Sequence, residues 1–409
     1  MQQMSARLYL VSLAAMIFAG LALIALMGLG VDAYGVFGTR LIPASRFPPQ
    51  LRLVAIGDRL TKGLEIVQRH DDRLLFIGDS RTQHGFDPDS PALGGIKAYN
   101  TALAAATLSE QLDTLDYALA HEPSVTHLVW GLSFEIFPSR VATTTDYWDS
   151  AFAGHSLLSS RLHHLFAFDF VEASFKALLQ ARKQVEAPMK RNGVVNFPSD
   201  PVEGPGIARY HDLELASESR ELRGPRPPAE MQAAQDRLRR RLAELKLKGI
   251  DVDLVIMPVH AWRLEFYRLV GVETDLADWK RGVAATVGAL ASAPGNGKLR
   301  LFDFERPHLF TEQPILSPPA PGERRFFLET SHFYPWLGDL ILDRVLGTGQ
   351  GEAGPISTPP FGAEIGAGGD ASGKVDIEAD LASAAAGLDV WEAAHPGDVS
   401  HVKEVIGRP

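Results

Sequence analysis

Cysteine is absent from this sequence of 409 residues. Its absence excludes disulfide bonds, a thiol nucleophile and any metal site built from thiolates. An excess of positive charge is also lacking, because 50 acidic residues outnumber 40 lysines and arginines and give a formal net charge of -10. This charge balance argues against a nucleic-acid partner.

The residues that are present have the balance of a folded protein. Apolar residues make up 45% of the chain and charged residues 22%, which at this length predicts one large domain or two ordinary ones. The stretch after Thr348 differs, since glycine, alanine, proline and acidic residues dominate it and large apolar residues are few. We expect residues 348–409 to be mostly disordered, with a weak helix over residues 375–394.

A long uncharged segment lies near the N-terminus. Residues 8–31 carry no charge, which is enough for a helix to cross a hydrocarbon core of about 30 Å. Arg7 precedes the segment and Asp32 follows it, which favours a cytoplasmic N-terminus of residues 1–7 and an extracytoplasmic remainder. The alternative is a cleaved signal peptide, although its apolar core would be shorter. In a bacterium, an uncleaved anchor would place the protein in the inner membrane with its main domain in the periplasm.

Beyond a connecting segment at residues 32–70, apolar and amphipathic stretches alternate. Strands are predicted at residues 74–77, 96–100, 126–134, 252–260 and 299–304, and helices at 108–119, 228–248, 278–290 and from Pro335. This order predicts an α/β domain over residues 71–347 with a mostly parallel, five-stranded sheet. Residues 138–228, which include a helical piece at 162–181, interrupt the pattern and are either a lid over the site or an excursion without function.

The first predicted strand runs directly into Gly78-Asp79-Ser80. A tight turn there would place the Ser80 hydroxyl at the carboxyl edge of a parallel sheet, where open α/β folds bind ligands. Ser80 is therefore a candidate nucleophile, although the three residue types also favour turns for local reasons. Serine needs a base, and the base needs a group that fixes its tautomer. Glu329 and His332, on a loop before the last helix, complete a triad in principle.

No metal centre is predicted. His155, His163 and His164 lie in the insertion without a carboxylate at ligand spacing, which favours surface or packing roles. We therefore expect neither a metal nor another cofactor, and a metal-dependent enzyme is the least favoured class.

The order of these motifs resembles the SGNH (GDSL-type) hydrolase superfamily. The resemblance covers residues 70–135 and 250–347, and it rests on Gly78-Asp79-Ser80, Tyr99-Asn100, Gly131-Leu132-Ser133 and Glu329-x-x-His332. More narrowly, the N-terminal anchor and three further stretches resemble membrane-anchored SGNH-like proteins of bacterial polysaccharide assembly, relatives of the alginate O-acetylation proteins. Those stretches are Pro258-Val259-His260, Trp279-Lys280 and Ser331-His332-Phe333-Tyr334.

The resemblance implies a three-layer α/β/α domain and a role for each matching residue. Ser80 would be the nucleophile, His332 the base and Glu329 the acid, where the family usually has Asp. The oxyanion hole would use the Ser80 backbone N–H and the backbone N–H of Ala105, in the small-residue loop after Tyr99-Asn100 where the family has Gly. Its third donor would be Ser133, which stands where the family has Asn.

Asn100 is a further candidate for substrate or oxyanion contact. Arg81 and His260 are others, and each of these two has a structural alternative. Arg81 would bind an anionic sugar or pair with a nearby aspartate, and His260 would contact substrate or be a structural histidine. His84 is a candidate for the pocket wall.

The implied function is an extracytoplasmic serine esterase or O-acyltransferase. Its acyl group, of acetyl type, would be carried by a bacterial polysaccharide, and transfer would require an acyl donor from a multispanning membrane acyltransferase partner. The alternative is a catalytically weak or inactive glycan-binding or scaffold protein of polysaccharide export.

Overall fold

The structure is a computed structural model. It describes residues 2–32, 54–137, 145–148, 150–166, 192–194, 228–315, 324–349, 360–366 and 373–407, together with residues 37, 171, 172, 174, 175, 212, 215, 216, 219 and 222. In chain order the helices and strands are α1 (Gln2–Val31), α2 (Val54–Val67), β1 (Leu74–Ile77), α3 (Ser80–Gly85), β2 (Ala98–Asn100), α4 (Leu108–His121), β3 (His127–Leu132), α5 (Thr145–Trp148), α6 (Leu157–Phe166), α7 (Pro228–Leu247), β4 (Asp251–Ile256), α8 (Ala261–Val270), α9 (Glu273–Ala291), β5 (Leu299–Asp303), α10 (Pro335–Leu346), β6 (Ala363–Ile365), α11 (Ile377–Ala394) and α12 (Pro396–Gly407).

The chain divides into two compact units. The first comprises Met1–Gln68 and Thr144–Lys190, and the second comprises Arg69–Thr143 and Arg191–Pro409. Part of the predicted insertion therefore groups with the N-terminal segment. The predicted lid itself falls mostly on residues outside the described ranges, as does the part of the helix predicted beyond Phe166.

Helix α1 dominates the first unit. Its segment Ala6–Val31 has a mean hydropathy of 2.6 and is long and apolar enough to span a membrane. Large apolar side chains along it, such as Leu8 and Phe18, are exposed, unlike those of a buried core helix. Its C-terminal end packs against other helices, where Val31 joins a small core with Leu60, Leu64 and Leu165.

The second unit is built on one mostly parallel sheet. The strand order is β2-β1-β3-β4-β5-β6, and the sheet has six strands where five were predicted. The first five strands are parallel and coincide with the predicted ones. The sixth, β6, is antiparallel to β5 and comes from the segment that was predicted to be disordered. Its three residues are too few to show the alternation by which a strand is recognised in a sequence.

The main core fixes helix α10 to the sheet. Leu74 and Phe76 of β1 lie in one buried cluster with Leu337 and Ile341 of α10. Burial of each such side chain contributes roughly 1.5 to 3 kcal/mol. The loop that precedes α10, which carries Glu329 and His332, is thereby held at a defined place relative to β1.

The C-terminal segment is corrected in part. The helix predicted over residues 375–394 is present as α11, whereas β6 and α12 lie in a segment that was predicted to be mostly disordered. Several of its few large apolar residues are buried, namely Leu388 and Trp391 of α11 and Val402 and Val405 of α12. Composition alone misses this spacing.

The N-cap of α4 is Thr107, because the Thr107 hydroxyl and the Glu110 side chain form a reciprocal capping box.

Helix α8 was not predicted. It begins directly after His260, where the fourth strand was predicted to end.

Candidate active site

The turn after β1 has a geometry that only its own residue types satisfy. Gly78 has a φ of 154°, and a Cβ there would collide with Thr82 and approach the carbonyl oxygen of Gly131. The Asp79 side chain caps α3 by accepting a hydrogen bond from the Arg81 backbone N–H at 2.9 Å. Ser80 is the first residue of α3, so its own N–H has no intrahelical acceptor. Residue types that favour a turn and a partly exposed Ser80 are therefore compatible, and the two interpretations of Gly78-Asp79-Ser80 do not exclude each other.

Ser80, His332 and Glu329 form one hydrogen-bonded chain. His332 Nε2 lies 2.7 Å from Ser80 Oγ, and His332 Nδ1 bonds to a Glu329 carboxylate oxygen. Glu329 is almost fully buried, whereas His332 and Ser80 remain partly exposed. The glutamate reaches the imidazole in the place where the resembling family has aspartate. This is the arrangement by which a serine hydroxyl is activated.

The Glu329 carboxylate is oriented by its own loop. The backbone N–H groups of Ser331 and His332 each donate to it at 2.6 Å. The loop is a tight hairpin, because the Leu328 N–H bonds to the His332 carbonyl at 2.8 Å and Phe327 forms a bridge with Phe333. The acid and the base are thus held together by local geometry.

Two glycines let α3 and α10 approach each other closely. A Cβ at Gly85 would collide with the Phe333 ring, and one at Gly338 would collide with the Gly85 carbonyl oxygen. Both contacts lie between the helix that carries Ser80 and the segment that carries His332. The ring of His84 lies against the ring of His332, with centroids 4.8 Å apart.

Two of the predicted oxyanion residues lie at the same edge of the sheet. Ser133 follows Trp130 by three residues, as Ser80 follows Ile77, and Ile77 pairs with Trp130 in the parallel register. The Ser133 hydroxyl is buried and has no hydrogen-bond partner among the residues that the structure describes. Ala105, in a turn after β2, has a φ of 51°, the left-handed conformation that glycine adopts more readily.

Asn100, a candidate for substrate or oxyanion contact, makes structural hydrogen bonds. Its side-chain amide donates to the carbonyl oxygens of Thr82 and Phe86, at 2.9 and 2.8 Å. Its side-chain oxygen accepts the Ala102 N–H at 3.0 Å. The residue is completely buried and holds the C-terminal end of α3 to β2.

His260 has the structural role of its two alternatives. It caps α8, where Nδ1 accepts the Trp262 N–H at 3.2 Å, and Nε2 bonds to the Gln313 carbonyl oxygen at 2.8 Å. Its side chain is buried, which leaves no surface for a substrate.

Arg81 pairs with Glu135, and not with the nearby aspartate that was one of its two predicted alternatives. The guanidinium bonds both Glu135 carboxylate oxygens, at 3.0 and 2.6 Å, and is buried. Arg263 also donates to Glu135, at 3.3 Å, and the Tyr267 hydroxyl forms a further hydrogen bond to it. We call these four residues the Glu135 cluster. Burial by itself would raise the pKa of Glu135, but Arg81 and Arg263 outweigh it and hold that pKa well below its ordinary value.

The sequence contained a weak signal for this cluster. Glu135 comes two residues after Ser133, at the edge where β3 ends, so a carboxylate there was visible. Its partners were not, since Arg263 and Tyr267 lie on the helix α8 that was not predicted.

A second buried group of charges lies at the end of β5. Lys280 Nζ is 2.8 Å from an Asp303 oxygen and 3.2 Å from a Glu305 oxygen, and Arg306 pairs with Asp380. We call these five residues the Lys280 cluster. Burial raises the pKa of Glu305 to about 7, with Lys280 opposing and Asp303 adding to the effect. Burial, followed by the Asp303 carboxylate, raises the pKa of Asp380 to about 6. The Trp279-Lys280 motif therefore supplies a buried cation.

Within the described part of the chain, no three His, Asp or Glu side chains are grouped so that they could hold a metal ion. His155 is exposed, and the side chains of His163 and His164 lie outside the described residues.

No protein-family profile and no curated protein sequence matches this chain. The resemblance to the SGNH hydrolases therefore rests on the sequence motifs.

Proposed function

We propose that this protein is a serine esterase or O-acyltransferase with a three-layer α/β/α fold of the SGNH type. Its substrate would be an acyl ester of acetyl size on a polysaccharide. The observation that carries the proposal is the chain of hydrogen bonds from Glu329 through His332 to Ser80, with 2.7 Å between His332 Nε2 and Ser80 Oγ.

The first half-reaction forms an acyl-enzyme. Ser80 Oγ attacks the ester carbonyl carbon while His332 Nε2 takes the hydroxyl proton, and Glu329 stabilises the imidazolium. As the tetrahedral intermediate collapses, the bond to the leaving alcohol breaks and His332 returns the proton to that oxygen. In the second half-reaction, water or a sugar hydroxyl attacks the acyl-enzyme and regenerates Ser80.

The negative oxygen of the intermediate needs donors. We assign the Ser80 N–H at the start of α3, the Ala105 N–H in the left-handed turn, and the Ser133 hydroxyl. The buried, unpartnered hydroxyl of Ser133 supports the last of these. Loss of one such donor costs about 2.7 to 4 kcal/mol of transition-state stabilisation in well-built sites.

Helix α1 supports a proposal for where the protein is placed. We propose that this helix anchors the protein in a bacterial inner membrane, with Arg7 on the cytoplasmic side and the sheet domain in the periplasm. Acyl transfer there requires a donor that crosses the membrane, which we assign to a multispanning acyltransferase partner.

The test uses the full-length protein in detergent with a chromogenic acetyl ester and a serine-reactive phosphonate. We expect Ser80→Ala to lower turnover at least 10³-fold and to abolish labelling, since the nucleophile is lost. Ser109→Ala, on the outer part of α4, is the matched control and should retain both. Turnover that survives in Ser80→Ala would overturn the proposal.

A polysaccharide-binding assay separates the alternative function. If the wild-type protein binds acetylated polymer but shows neither Ser80-dependent turnover nor labelling, a scaffold role replaces the catalytic one.

A further inference from the structure

We infer that Glu135 is a positioning residue that holds the hairpin carrying Glu329 and His332 in register with Ser80. This inference rests on the proposed function, since it assigns Glu135 a part in the activation of Ser80. It concerns the two residues between Glu329 and His332, namely Thr330 and Ser331.

The first connection begins beside the nucleophile. Arg81 follows Ser80 directly on α3, and two of its guanidinium nitrogens bond Glu135. The remaining nitrogen, Nε, donates to the Ser331 hydroxyl at 3.0 Å. One planar group therefore links the nucleophile helix, Glu135 and the hairpin, and its fork geometry leaves little rotational freedom.

The second connection begins on α8. Arg263 Nε donates to the Thr330 hydroxyl at 3.3 Å, and its Nη1 donates to Glu135 at 3.3 Å. Tyr267, one helical turn further, donates its hydroxyl hydrogen to Glu135. Each residue between Glu329 and His332 is thus held by its own arginine, and both arginines share Glu135.

The charge of Glu135 is essential to this arrangement. Arg81 and Arg263 are almost completely buried, and two buried cations without an anion between them repel and lose solvation. Without Glu135, each guanidinium is expected to turn toward water or another acceptor and to release Ser331 or Thr330. Displacement of a catalytic base by about 1 Å can cost about 100-fold in rate.

The primary test compares Glu135→Gln with a matched control elsewhere in the sheet unit. Asp253→Asn removes a carboxylate from an equally bidentate pair, in which Arg300 bonds Asp253 at 2.7 and 2.8 Å. Asp253 lies on β4 away from the carboxyl edge. Full-length proteins are assayed for kcat, KM and the rate of phosphonate labelling of Ser80.

For Glu135→Gln we expect kcat and the labelling rate to fall together by about 10- to 100-fold, with KM changed less than about threefold. Asp253→Asn should keep kcat within about twofold of the wild type, even if its thermal unfolding midpoint falls as much as that of Glu135→Gln. An unchanged kcat in Glu135→Gln, or an equal loss in Asp253→Asn, would refute the positioning role.

A milder variant keeps the test decisive if Glu135→Gln does not fold. Ser331→Ala removes only the Arg81 Nε contact and should lower kcat by about tenfold at unchanged KM. Wild-type kcat in Ser331→Ala would contradict the proposed connection.

A proton NMR measurement distinguishes the two proposals. The downfield signal of the His332 Nδ1 hydrogen, identified by its loss in His332→Ala, reports the bond to Glu329 without any turnover. We expect the signal in wild type and Asp253→Asn, and its weakening or loss in Glu135→Gln. If wild type shows the signal but no turnover, the enzymatic function fails while positioning by Glu135 is still measured; if Glu135→Gln keeps the signal unchanged, the positioning role fails.

Discussion

The Glu135 cluster and the Lys280 cluster both bury charged side chains, but cations are in excess in the first and carboxylates in the second. Both bury charges at the carboxyl edge of the sheet, but one places a single carboxylate among two arginines and the other places three carboxylates with one lysine and one arginine. The surplus of cations holds the pKa of Glu135 low, whereas burial with a surplus of carboxylates raises the pKa of Glu305 to about 7. The number of cations beside a buried acid, relative to the number of carboxylates, therefore decides whether that acid titrates near neutral pH.

The largest expected effect is the loss of the only lysine in these clusters. Lys280→Met leaves Asp303 and Glu305 buried without their nearest cation, so we expect the free energy of unfolding to fall by about 3 to 5 kcal/mol at pH 8. Denaturant unfolding of the full-length protein measures it. The matched control is Lys246→Met, because Lys246 is also buried but, among the residues that the structure describes, bonds only the Ala291 carbonyl oxygen; it should cost about 1 kcal/mol. Equal losses in both variants would break the comparison.

The next largest effect is the loss of stability in Glu135→Gln, which should not change with pH. The contribution of ionised Glu135 is present above the ordinary glutamate pKa and is lost only as pH falls through its lower folded pKa. Glu135→Gln should therefore cost about the same, roughly 3 kcal/mol, at pH 5 and at pH 8. A cost that changes steeply between those two pH values would show that Glu135 titrates there.

Glu305 should behave in the opposite way. Its folded pKa of about 7 exceeds the ordinary 4.5, so the folded state binds more protons and the wild type loses stability as pH rises from about 4.5 to 7. Lys280, Asp303, Glu135 and Arg81 all act on this group. Glu305→Gln removes the titration, and its stability relative to wild type should rise by up to about 3 kcal/mol between pH 5 and pH 8. Parallel stability curves for the two proteins would contradict this.

The smallest effect concerns an exposed pair. Arg281 of α9 bonds both carboxylate oxygens of Glu378 on α11, at 2.7 and 2.8 Å, but both side chains are largely in water. Arg281→Ala should leave the thermal unfolding midpoint within experimental error of the wild type, at low and at high salt. A clear drop would mean that bidentate geometry matters more than burial, and the comparison between the clusters would need revision.

The parts of the fold that were predicted depend on local pattern. Strand β1 is a run of apolar residues buried on both faces, and it enters a turn whose glycine is required by conformation. Glu329 and His332 are close in sequence, so a single hairpin brings them together. Their meeting with Ser80 depends on two elements 252 residues apart, which only the order of the strands suggested.

The parts that were missed depend on side-chain direction and on distant partners. Asn100 stands at the correct edge of the sheet, yet its amide turns toward the carbonyl groups of α3. The sequence left Arg81 as a candidate for binding an anionic sugar, because it does not show that the fold places Glu135 and Arg263 beside it. In the C-terminal segment, a few well-spaced apolar residues outweigh a composition that resembles disorder.

The contact between Gly85 and Gly338 has a consequence for recognising related proteins. A side chain at either position would push the helix that carries Ser80 away from the segment that carries His332, so the two glycines contribute to the proposed active site although neither does chemistry. The pattern Gly-Asp-Ser-x4-Gly followed by Glu-x2-His-x5-Gly therefore combines chemistry and spacing in one query. Genomes searched with this pattern should yield chains that share this site even where overall similarity has faded.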